Sequence, residues 1–375
     1  MNIAFVSNVV YPFVKGGAEK RIHEIGTRLA NRNHEVTVYA RHFWDGPPEM
    51  KHADMTLQAV SPERELYTNG RRSIAEALEF SKDMIRPLQK NINEHDIIVA
   101  SVFPYFPVLA SKLTTILNDI PLVTTWHEVW REYWDEYLGY LAPFGRIVEH
   151  LTARVPQHPV AVSEVTANQL SEIGPSRDQI TVVPNGIDIG RVQSVTPAEN
   201  GFDILFAGRL ISDKYVDRLL HAFDRIASNH DVTLGIIGDG PERDYFEQEA
   251  DVCRASDRVS FLGFFHDYEN VLAHMKSASI FAIPSTREGF GITYLEAMAA
   301  DCVVIGIDHP NSAASEVIND AGYVVDPTVD ALAKTLDCAL TGERPPKDPL
   351  NVANQYDWDI IAEQAEKAYR SAIGE

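Results

Sequence analysis

The 375-residue sequence lacks several features that would assign it to a common class of protein. No apolar stretch approaches the roughly 20 residues that a membrane-spanning helix needs. Its three cysteines, Cys253, Cys302 and Cys338, are dispersed and show no metal-ligand spacing, which indicates reduced thiols in a cytoplasmic protein. The first residues, Met1 to Ser7, lack the basic segment of a signal peptide and instead predict a strand.

Lysine is also scarce, because 22 of the 33 basic residues are arginine and only 11 are lysine. The 54 acidic residues give a formal net charge of −21, which disfavours a nucleic-acid-binding function, since such a surface repels phosphates. An acidic, lysine-poor surface is typical of proteins in a salt-rich cytoplasm, where ionic strength screens self-repulsion. Acidity without such adaptation is the alternative interpretation.

Apolar residues make up 45% of the sequence, enough for the cores of two α/β domains at this length. Short apolar runs alternate with helix-length segments, which predicts parallel sheets with helices on both faces. The predicted fold class is therefore α/β, with two doubly wound, Rossmann-like domains facing a central cleft. The predicted strands are Ile3–Ser7, Val36–Ala40, Ile97–Ser101, Leu122–Trp126, Val160–Ser163, Thr181–Val183, Ile204–Ala207, Leu234–Ile237, Val259–Leu262, Ile280–Ile283, Val303–Ile305 and Tyr323–Val325.

The domain boundaries are predicted from a change in composition. The segment 184–200 is irregular and polar and separates two similar halves, so we interpret it as an interdomain linker. The first domain is expected to span residues 1–183 and the second residues 201–355. A final segment, 356–375, begins with Tyr356-Asp357-Trp358 and continues as a predicted helix to about Arg370.

The most informative stretch joins the buried strand Ile280–Ile283 to a helix predicted over Ile292–Ala300. Glu288 lies in the intervening glycine-rich loop, at the carboxyl end of a strand, where open α/β sheets bind ligands. Glu296 lies about one turn into the helix. The helix amino terminus lies between the two carboxylates and suits a phosphate. This arrangement fits a sugar–diphosphate–nucleoside.

Other strand ends carry residues that suit the same chemistry. The Gly16-Gly17 loop allows backbone N–H groups to approach an anion, and it lacks the Gly-x-Gly-x-x-Gly pattern of dinucleotide-binding proteins; a tight turn is the alternative. His127 follows a strand and is a candidate for a polar contact, although a single histidine is often structural. Arg209 and Lys214 suit a diphosphate whose charge grows as it leaves, with an exposed ion-paired role as the alternative.

Together these segments resemble family 4 of the retaining glycosyltransferases, which have the two-domain GT-B fold, and the resemblance covers nearly the whole sequence. One departure is Tyr215, where the family usually has glycine after the lysine. The amino-terminal loop also differs from the Lys-Thr-Gly-Gly-Leu start of glycogen and starch synthases. The segments that carry the resemblance are Gly16-Gly17-Ala18-Glu19, His127-Glu128, Val162-Ser163-Glu164, Val183-Pro184-Asn185-Gly186-Ile187-Asp188, Gly208-Arg209-Leu210 with Lys214, Gly238-Asp239-Gly240-Pro241, and Glu288 to Glu296.

The resemblance implies transfer of a hexose from a nucleotide sugar, a UDP- or GDP-hexose, with retained anomeric configuration and without a metal or other cofactor. It also implies an acceptor-side first domain, a donor-binding second domain and a final helix that crosses back to the first. The catalytic residues would be His127 near the reacting carbon, Arg209 and Lys214 on the diphosphate, and Glu288 on the sugar hydroxyls. The donor would also meet Gly16, Gly17, the backbone amides of Phe290, Gly291 and Ile292, and Glu296, which would hold the ribose.

The acceptor is not specified by these motifs. Because many relatives extend lipid-linked glycans for cell-surface polymers or glycoproteins, the leading hypothesis is a polyprenyl-linked glycan reached at the inner membrane face. A small soluble glycoside or disaccharide product is the alternative. Tyr137 to Phe144, with Arg146 and Arg154, and His42-Phe43-Trp44 are candidate membrane surfaces. A glycogen-synthase-like polymerase, a nucleotide-sugar 2-epimerase and a non-catalytic sugar-binding protein are further alternatives.

Overall fold

The computed structural model describes residues 1–68, 71–116 and 118–375. Contacts divide the chain into two units: the first comprises Met1–Asn185 with Trp358–Glu375, and the second comprises Gly186–Asp357. Each unit contains a largely parallel sheet with helices between successive strands, because short buried strands alternate with helical segments along the chain. The predicted α/β class with two doubly wound domains is confirmed.

The first unit is built on a main sheet of eight strands, counted over the described ranges, and a separate two-stranded ribbon. The strands are β1 Asn2–Val6, β2 Glu35–His42, β3 Glu49–His52, β4 Met55–Pro62, β5 Tyr67–Thr68, β6 Arg71–Arg72, β7 Ile97–Ser101, β8 Leu122–Trp126, β9 His158–Ala161 and β10 Thr181–Val182. The main sheet has the order β10-β9-β8-β7-β1-β2-β4-β3, in which β3 is antiparallel to β4. The direction of winding reverses between β1 and β7, where open α/β sheets bind ligands.

The helices of the first unit include the last one in the sequence. They are α1 Gly17–Asn31, α2 Ile74–Lys90, α3 Phe106–Thr115, α4 Tyr133–Leu138, α5 Ala142–Arg154, α6 Glu164–Ile173 and α15 Trp358–Ile373. Helix α15 packs on α1, and an ion pair between Arg28 and Asp359 joins the two helices. The Tyr369 ring of α15 packs edge-on against Phe5 of β1 at 6.3 Å between ring centres.

The second unit contains six parallel strands in the described part of the chain, in the order β13-β12-β11-β14-β15-β16. The strands are β11 Ile204–Ala207, β12 Leu234–Ile237, β13 Val259–Gly263, β14 Ile280–Ala282, β15 Val303–Ile307 and β16 Tyr323–Val325. The helices are α7 Ile189–Ser194, α8 Val216–Ile226, α9 Arg243–Asp251, α10 Tyr268–Ser277, α11 Ile292–Ala299, α12 Ala314–Ile318, α13 Val329–Leu340 and α14 Pro349–Ala353. Winding reverses between the neighbouring strands β11 and β14.

Three local predictions are wrong. The segment 184–200 is not wholly irregular, because Asp188 accepts the N–H of Arg191 at 2.8 Å and so caps α7. The strand expected over Val160–Ser163 lies at His158–Ala161, since Ser163 already caps α6. The predicted set of strands is incomplete, because it lacks β3, β4, β5 and β6. Strand β3 is a short, partly exposed edge strand, and β4 mixes apolar with polar residues.

Within the described ranges, no helix is both long enough and apolar enough to cross a membrane.

Candidate active site

Two loops meet at the reversal point of the second sheet, because β11 and β14 are hydrogen-bonded neighbours and both strands end at the same edge. One loop leads from β11 to Lys214, and the other leads from β14 to Gly291. Backbone and side chain of Asp213 join them: its carbonyl accepts the N–H of Thr286 at 3.0 Å, and its Oδ2 accepts from Nε of Arg287 at 2.7 Å. The sheet topology therefore brings together the two motifs that follow these strands.

Lys214 and Glu288, two of the predicted catalytic residues, are in direct contact. Nζ of Lys214 forms an ion pair with Oε1 of Glu288, and the two side chains are only 14% and 15% exposed. At this depth an ion pair is screened less than on the surface, so each charge orients the other. The pair brings a cation and a carboxylate together at one point, and these are groups that suit a phosphate and sugar hydroxyls respectively.

The position of Glu288 is fixed by backbone contacts as well as by Lys214. Its N–H donates to the carbonyl of Asn311 at 3.1 Å, and its carbonyl accepts the N–H of Ala313 at 2.9 Å. These bonds form a short parallel bridge to the segment after β15. Neighbouring loops thus hold the Glu288 backbone on one side and its carboxylate on the other.

Arg209 lies one residue after Gly208 in a turn that runs beside the turn after β12. The Gly208 N–H donates to Ile237 at 3.0 Å, and a Cβ on Gly238, which has φ +137°, would lie 1.8 Å from the Gly208 carbonyl oxygen. Glycine is therefore required for the close approach. The Arg209 side chain is exposed, and Lys214 folds back so that its Cε lies 3.9 Å from the position of a Cβ on Gly208.

Tyr215, the departure from the family pattern, has a left-handed backbone with φ 46° and ψ 42°. It links the turn that ends at Lys214 to the start of α8. Glycine adopts this conformation without strain, which explains why glycine suits the position. In this chain the Tyr215 ring instead stacks with the guanidinium of Arg218, whose carbon lies 3.8 Å from the ring centre. In this chain the left-handed position is therefore occupied by a tyrosine.

Helix α11 begins directly after Gly291, which has φ +84°. A Cβ at Gly291 would lie 2.5 Å from the Tyr294 ring, so the entry to the helix excludes larger residues. Burial and the nearby charge of Glu288 raise the pKa of Tyr294 well above its ordinary value, and its hydroxyl donates to Ile283 at 3.2 Å. Phe290 is buried against Tyr356, while Ile292 opens the helix. The predicted anion-facing amides thus lie at a sharply defined turn.

Glu296 is 2% exposed on α11, and its Oε2 accepts a hydrogen bond from the hydroxyl of Tyr268. Burial and the Glu296 carboxylate raise the pKa of Tyr268 well above its ordinary value. Tyr268 begins α10, directly after the N-cap residue Asp267. Tyr268 is not among the predicted site residues, since a tyrosine in the first turn of a helix gives no signal that it contacts a residue 28 positions away.

His127 lies in the first unit, at the carboxyl end of β8, where its Nε2 is 3.1 Å from Oγ of Ser101 at the end of β7. Burial lowers the pKa of His127 to about 3, with a further contribution from the charge of Arg21. The lowered pKa favours a neutral imidazole, which can hydrogen-bond but carries no charge. Arg21 is itself buried and donates to the carbonyl of Val183 at 2.9 Å. Burial lowers the pKa of Arg21 to about 10.

Gly16 and Gly17, also in the first unit, are exposed at the start of α1. A Cβ on Gly16 would lie 2.4 Å from Oε2 of Glu19, so the Glu19 carboxylate folds back against the loop. Burial raises the pKa of Glu19, and Arg72 lies 3.8 Å from it. The predicted anion loop thus already has a carboxylate beside it, which the sequence pattern did not indicate.

Comparison with known proteins gives both similar sequences and a similar fold. Glycogen synthase of Mycobacterium tuberculosis is 26% identical over 403 residues, which covers 99% of this chain and 95% of that protein. Phosphatidyl-myo-inositol mannosyltransferase of the same organism is 27% identical over 383 residues, covering 96% and 94%. The structure of Anabaena HepE in complex with UDP-glucose superimposes with a TM-score of 0.73 at 19% identity, covering 99% of this chain and 100% of that one.

Two family models match consecutive parts of the chain. The model described as Glycosyltransferase Family 4 matches residues 15–191, and the model described as Glycosyl transferases group 1 matches residues 191–355. Together they match residues 15–355, a range that includes every predicted site residue. The chain is therefore a glycosyltransferase that belongs to family 4 and has the GT-B fold.

Proposed function

We propose that this enzyme transfers a hexose from a nucleotide sugar, a UDP- or GDP-hexose, to a glycan acceptor with retention of the anomeric configuration. The observation that carries the proposal is the Lys214–Glu288 ion pair at the reversal point of the second sheet, directly before the amino terminus of α11. A diphosphate bound there would replace Glu288 as the ion-pair partner of Lys214. The Glu288 carboxylate would then be available to accept hydrogen bonds from sugar hydroxyls. HepE, whose structure contains UDP-glucose, supports a donor of this kind.

The main chemical requirement of this reaction is to stabilise the departing diphosphate. Lys214 and the exposed Arg209 supply the positive charge, and the first N–H groups of α11 add hydrogen-bond donors. We propose that these groups act without a metal or other cofactor. The role of Gly16 and Gly17 as a further phosphate contact stays a prediction, and the Glu19 carboxylate beside them would oppose an anion.

Glu296 is the proposed ribose-binding carboxylate. It lies on the same helix as the proposed phosphate-binding turn, about one turn further along, as a nucleoside beyond a diphosphate requires. His127 is proposed to contact the transferred sugar as a neutral hydrogen-bonding group, in keeping with its lowered pKa of about 3. An ion-pairing or general-acid role at neutral pH would need a protonated imidazole.

We further propose a polyprenyl-linked acceptor and peripheral contact with the inner face of the membrane. Tyr140 is fully exposed, and Leu141 and Phe144 are 59% and 47% exposed. Large apolar groups that protrude in this way are typical of interaction surfaces. The prediction of a second membrane surface at His42-Phe43-Trp44 is wrong, because Trp44 is 7% exposed and packs against His42.

Thermal unfolding with a panel of UDP-, GDP- and dTDP-sugars tests the donor, because a ligand that binds the folded state raises the unfolding temperature by mass action. We expect stabilisation by one nucleotide class, followed by NMR detection of a product with the anomeric configuration of the donor. Inversion would reject the retaining mechanism, and loss of rate with a chelator would reject the metal-free one. Stabilisation by no nucleotide sugar would reject the proposed donor.

The acceptor requires a separate experiment. The rate of transfer from one donor is measured with a polyprenyl-linked acceptor and with a small soluble acceptor. Binding of the enzyme to vesicles is measured at native salt. Transfer only to the small acceptor, without vesicle binding, would favour a soluble glycoside or disaccharide product. A ladder of products would favour the polymerase alternative, which is included because the chain is similar to glycogen synthase. Donor epimerisation without transfer would favour the 2-epimerase, and donor binding without any turnover would favour a non-catalytic sugar-binding protein.

A further inference from the structure

Tyr268 and the buried Glu296 form a polar pair that none of the sequence motifs includes. The Tyr268 hydroxyl donates to Oε2 of Glu296, a carboxylate that is 2% exposed. A buried carboxylate keeps its charge only if hydrogen bonds or nearby cations replace the water it has lost. A hydroxyl that donates to a charged oxygen makes a strong, short bond, so this contact both stabilises the charge and fixes the direction of the carboxylate.

The backbone around Tyr268 holds the hydroxyl in place. Asp267 caps α10 by accepting the N–H of Glu269 at 3.1 Å, which sets the start of the helix at Tyr268. Oε1 of Glu269 accepts from Nε of Arg191 at 2.7 Å and so joins α10 to α7. Both helices pack against α11, the helix that carries Glu296. The tyrosine is therefore presented by a capped helix that is fixed on two sides.

The bond occupies part of the hydrogen-bonding capacity of Glu296. A carboxylate has two oxygens with about four acceptor directions, so the hydroxyl at Oε2 does not by itself exclude a ribose hydroxyl at the same group. Tyr268 is 36% exposed, and its hydroxyl donates to the buried carboxylate of Glu296, so the pair borders the surface. The pair thus lies where a ligand hydroxyl could reach it.

We propose that Tyr268 is a positioning residue for donor recognition: its hydroxyl holds Glu296 in the orientation that accepts the ribose hydroxyls. This inference rests on the proposed nucleotide-sugar donor and deepens it, because it makes ribose recognition depend on a residue of α10 outside the motif that contains Glu296. Tyr268 acts through Glu296 and takes no part in the chemical step, so its loss should raise KM for the donor and leave kcat nearly unchanged.

The test is Tyr268→Phe, which keeps the ring and removes only the hydroxyl. Binding of UDP and GDP and of their 2′-deoxy forms is measured by calorimetry for wild type, Y268F, E296Q and the double variant. For the nucleotide that wild type binds, we expect Y268F to weaken affinity about tenfold and to reduce discrimination against the 2′-deoxy form. In the E296Q background, Y268F should change affinity by less than about twofold, since its target is already altered.

Tyr323→Phe is the matched control. Tyr323 is a partly buried tyrosine of the same unit whose hydroxyl has no hydrogen-bond partner among the described residues, so its removal should leave nucleotide affinity unchanged. If Y268F lowered nucleotide affinity equally in the wild-type and E296Q backgrounds, the role of Tyr268 would be merely structural and the inference would be overturned. Wild-type affinity and ribose discrimination in Y268F would also overturn it while leaving the proposed donor intact. Failure of wild type to bind any nucleoside diphosphate would overturn the proposed donor and this inference together.

Discussion

Lys214 and Glu288 form an ion pair although 74 residues separate them in the sequence. Each follows a different strand, and the two strands, β11 and β14, are neighbours at the point where the winding of the second sheet reverses. The carboxyl ends of parallel strands meet at one edge, so the two motifs are brought into contact by topology. The contact is the structural basis of the proposed donor site.

Removing a cation from this site should affect turnover far more than folding. Lys214→Ala and Arg209→Ala are each expected to lower kcat/KM by about 10²-fold, because each removes a charge that stabilises the departing diphosphate. Lys214→Arg should be partly active, since a planar guanidinium differs in reach from an ammonium. Lys334→Ala, at an exposed position of α13 in the same unit, is the matched control. A wild-type kcat/KM in Lys214→Ala or in Arg209→Ala would reject the role assigned to that residue.

The two glutamates should have separable effects. Glu296→Gln is expected to weaken nucleoside diphosphate binding, because the ribose hydroxyls lose a charged acceptor, whereas Glu288→Gln should mainly lower kcat. Calorimetry with the nucleoside diphosphate and steady-state kinetics with the full donor distinguish the two. Unchanged affinity in the Glu296 variant would mean that this carboxylate does not contact the ribose.

His127 should make stability depend on pH in a defined direction. Its pKa is lowered to about 3 in the folded protein, below the ordinary value of about 6.5, so the unfolded chain binds a proton that the folded chain does not. Stability from this residue is therefore fully present above about pH 6.5 and is lost as pH falls towards 3.

His127→Gln removes the titrating group and keeps a side chain that can hydrogen-bond to Ser101. We expect its free energy of unfolding in urea to fall less between about pH 7 and about pH 5 than that of wild type. The same fall in both proteins would contradict the lowered pKa. Sugar transfer should decrease in this variant while nucleoside diphosphate binding is retained.

Tyr215 offers a test of backbone strain. Both Tyr215→Gly and Tyr215→Ala lose the stack with Arg218, but only glycine adopts the left-handed conformation without strain. We expect the glycine variant to be more stable than the alanine variant by about 1 kcal/mol, measured by urea unfolding. At Arg225, within helix α8, the order should be reversed, because alanine favours a helix over glycine. Equal stability of the two Tyr215 variants would argue against a left-handed residue there.

Salt should stabilise the protein if its acidity is an adaptation. A net charge of −21 implies self-repulsion, which is screened as the Debye length falls from about 10 Å at 0.1 M to about 3 Å at 1 M salt. We expect the unfolding temperature to rise over this range in KCl, followed by calorimetry or circular dichroism. A constant or falling unfolding temperature would favour the interpretation that the acidity has no such role.

The sequence by itself determined the α/β class and most of the strands, because buried parallel strands are short apolar runs that alternate with helical segments. It also located the Gly291 turn and Glu296 within α11, since both depend on local chain geometry. The edge strand β3 and its neighbour β4 were not predicted in the same way, because β3 is short and partly exposed and β4 mixes apolar with polar residues instead of forming an apolar run.

Only the tertiary structure decided which of these residues touch. The Lys214–Glu288 pair depends on the order of strands in the sheet, and the Tyr268–Glu296 bond depends on how α10 packs on α11. Burial decided the charge state of His127, since desolvation by residues distant in sequence lowers its pKa. Residue types and their local spacing can be taken directly from the sequence. Contacts and burial instead arise from long-range packing, which no local pattern encodes.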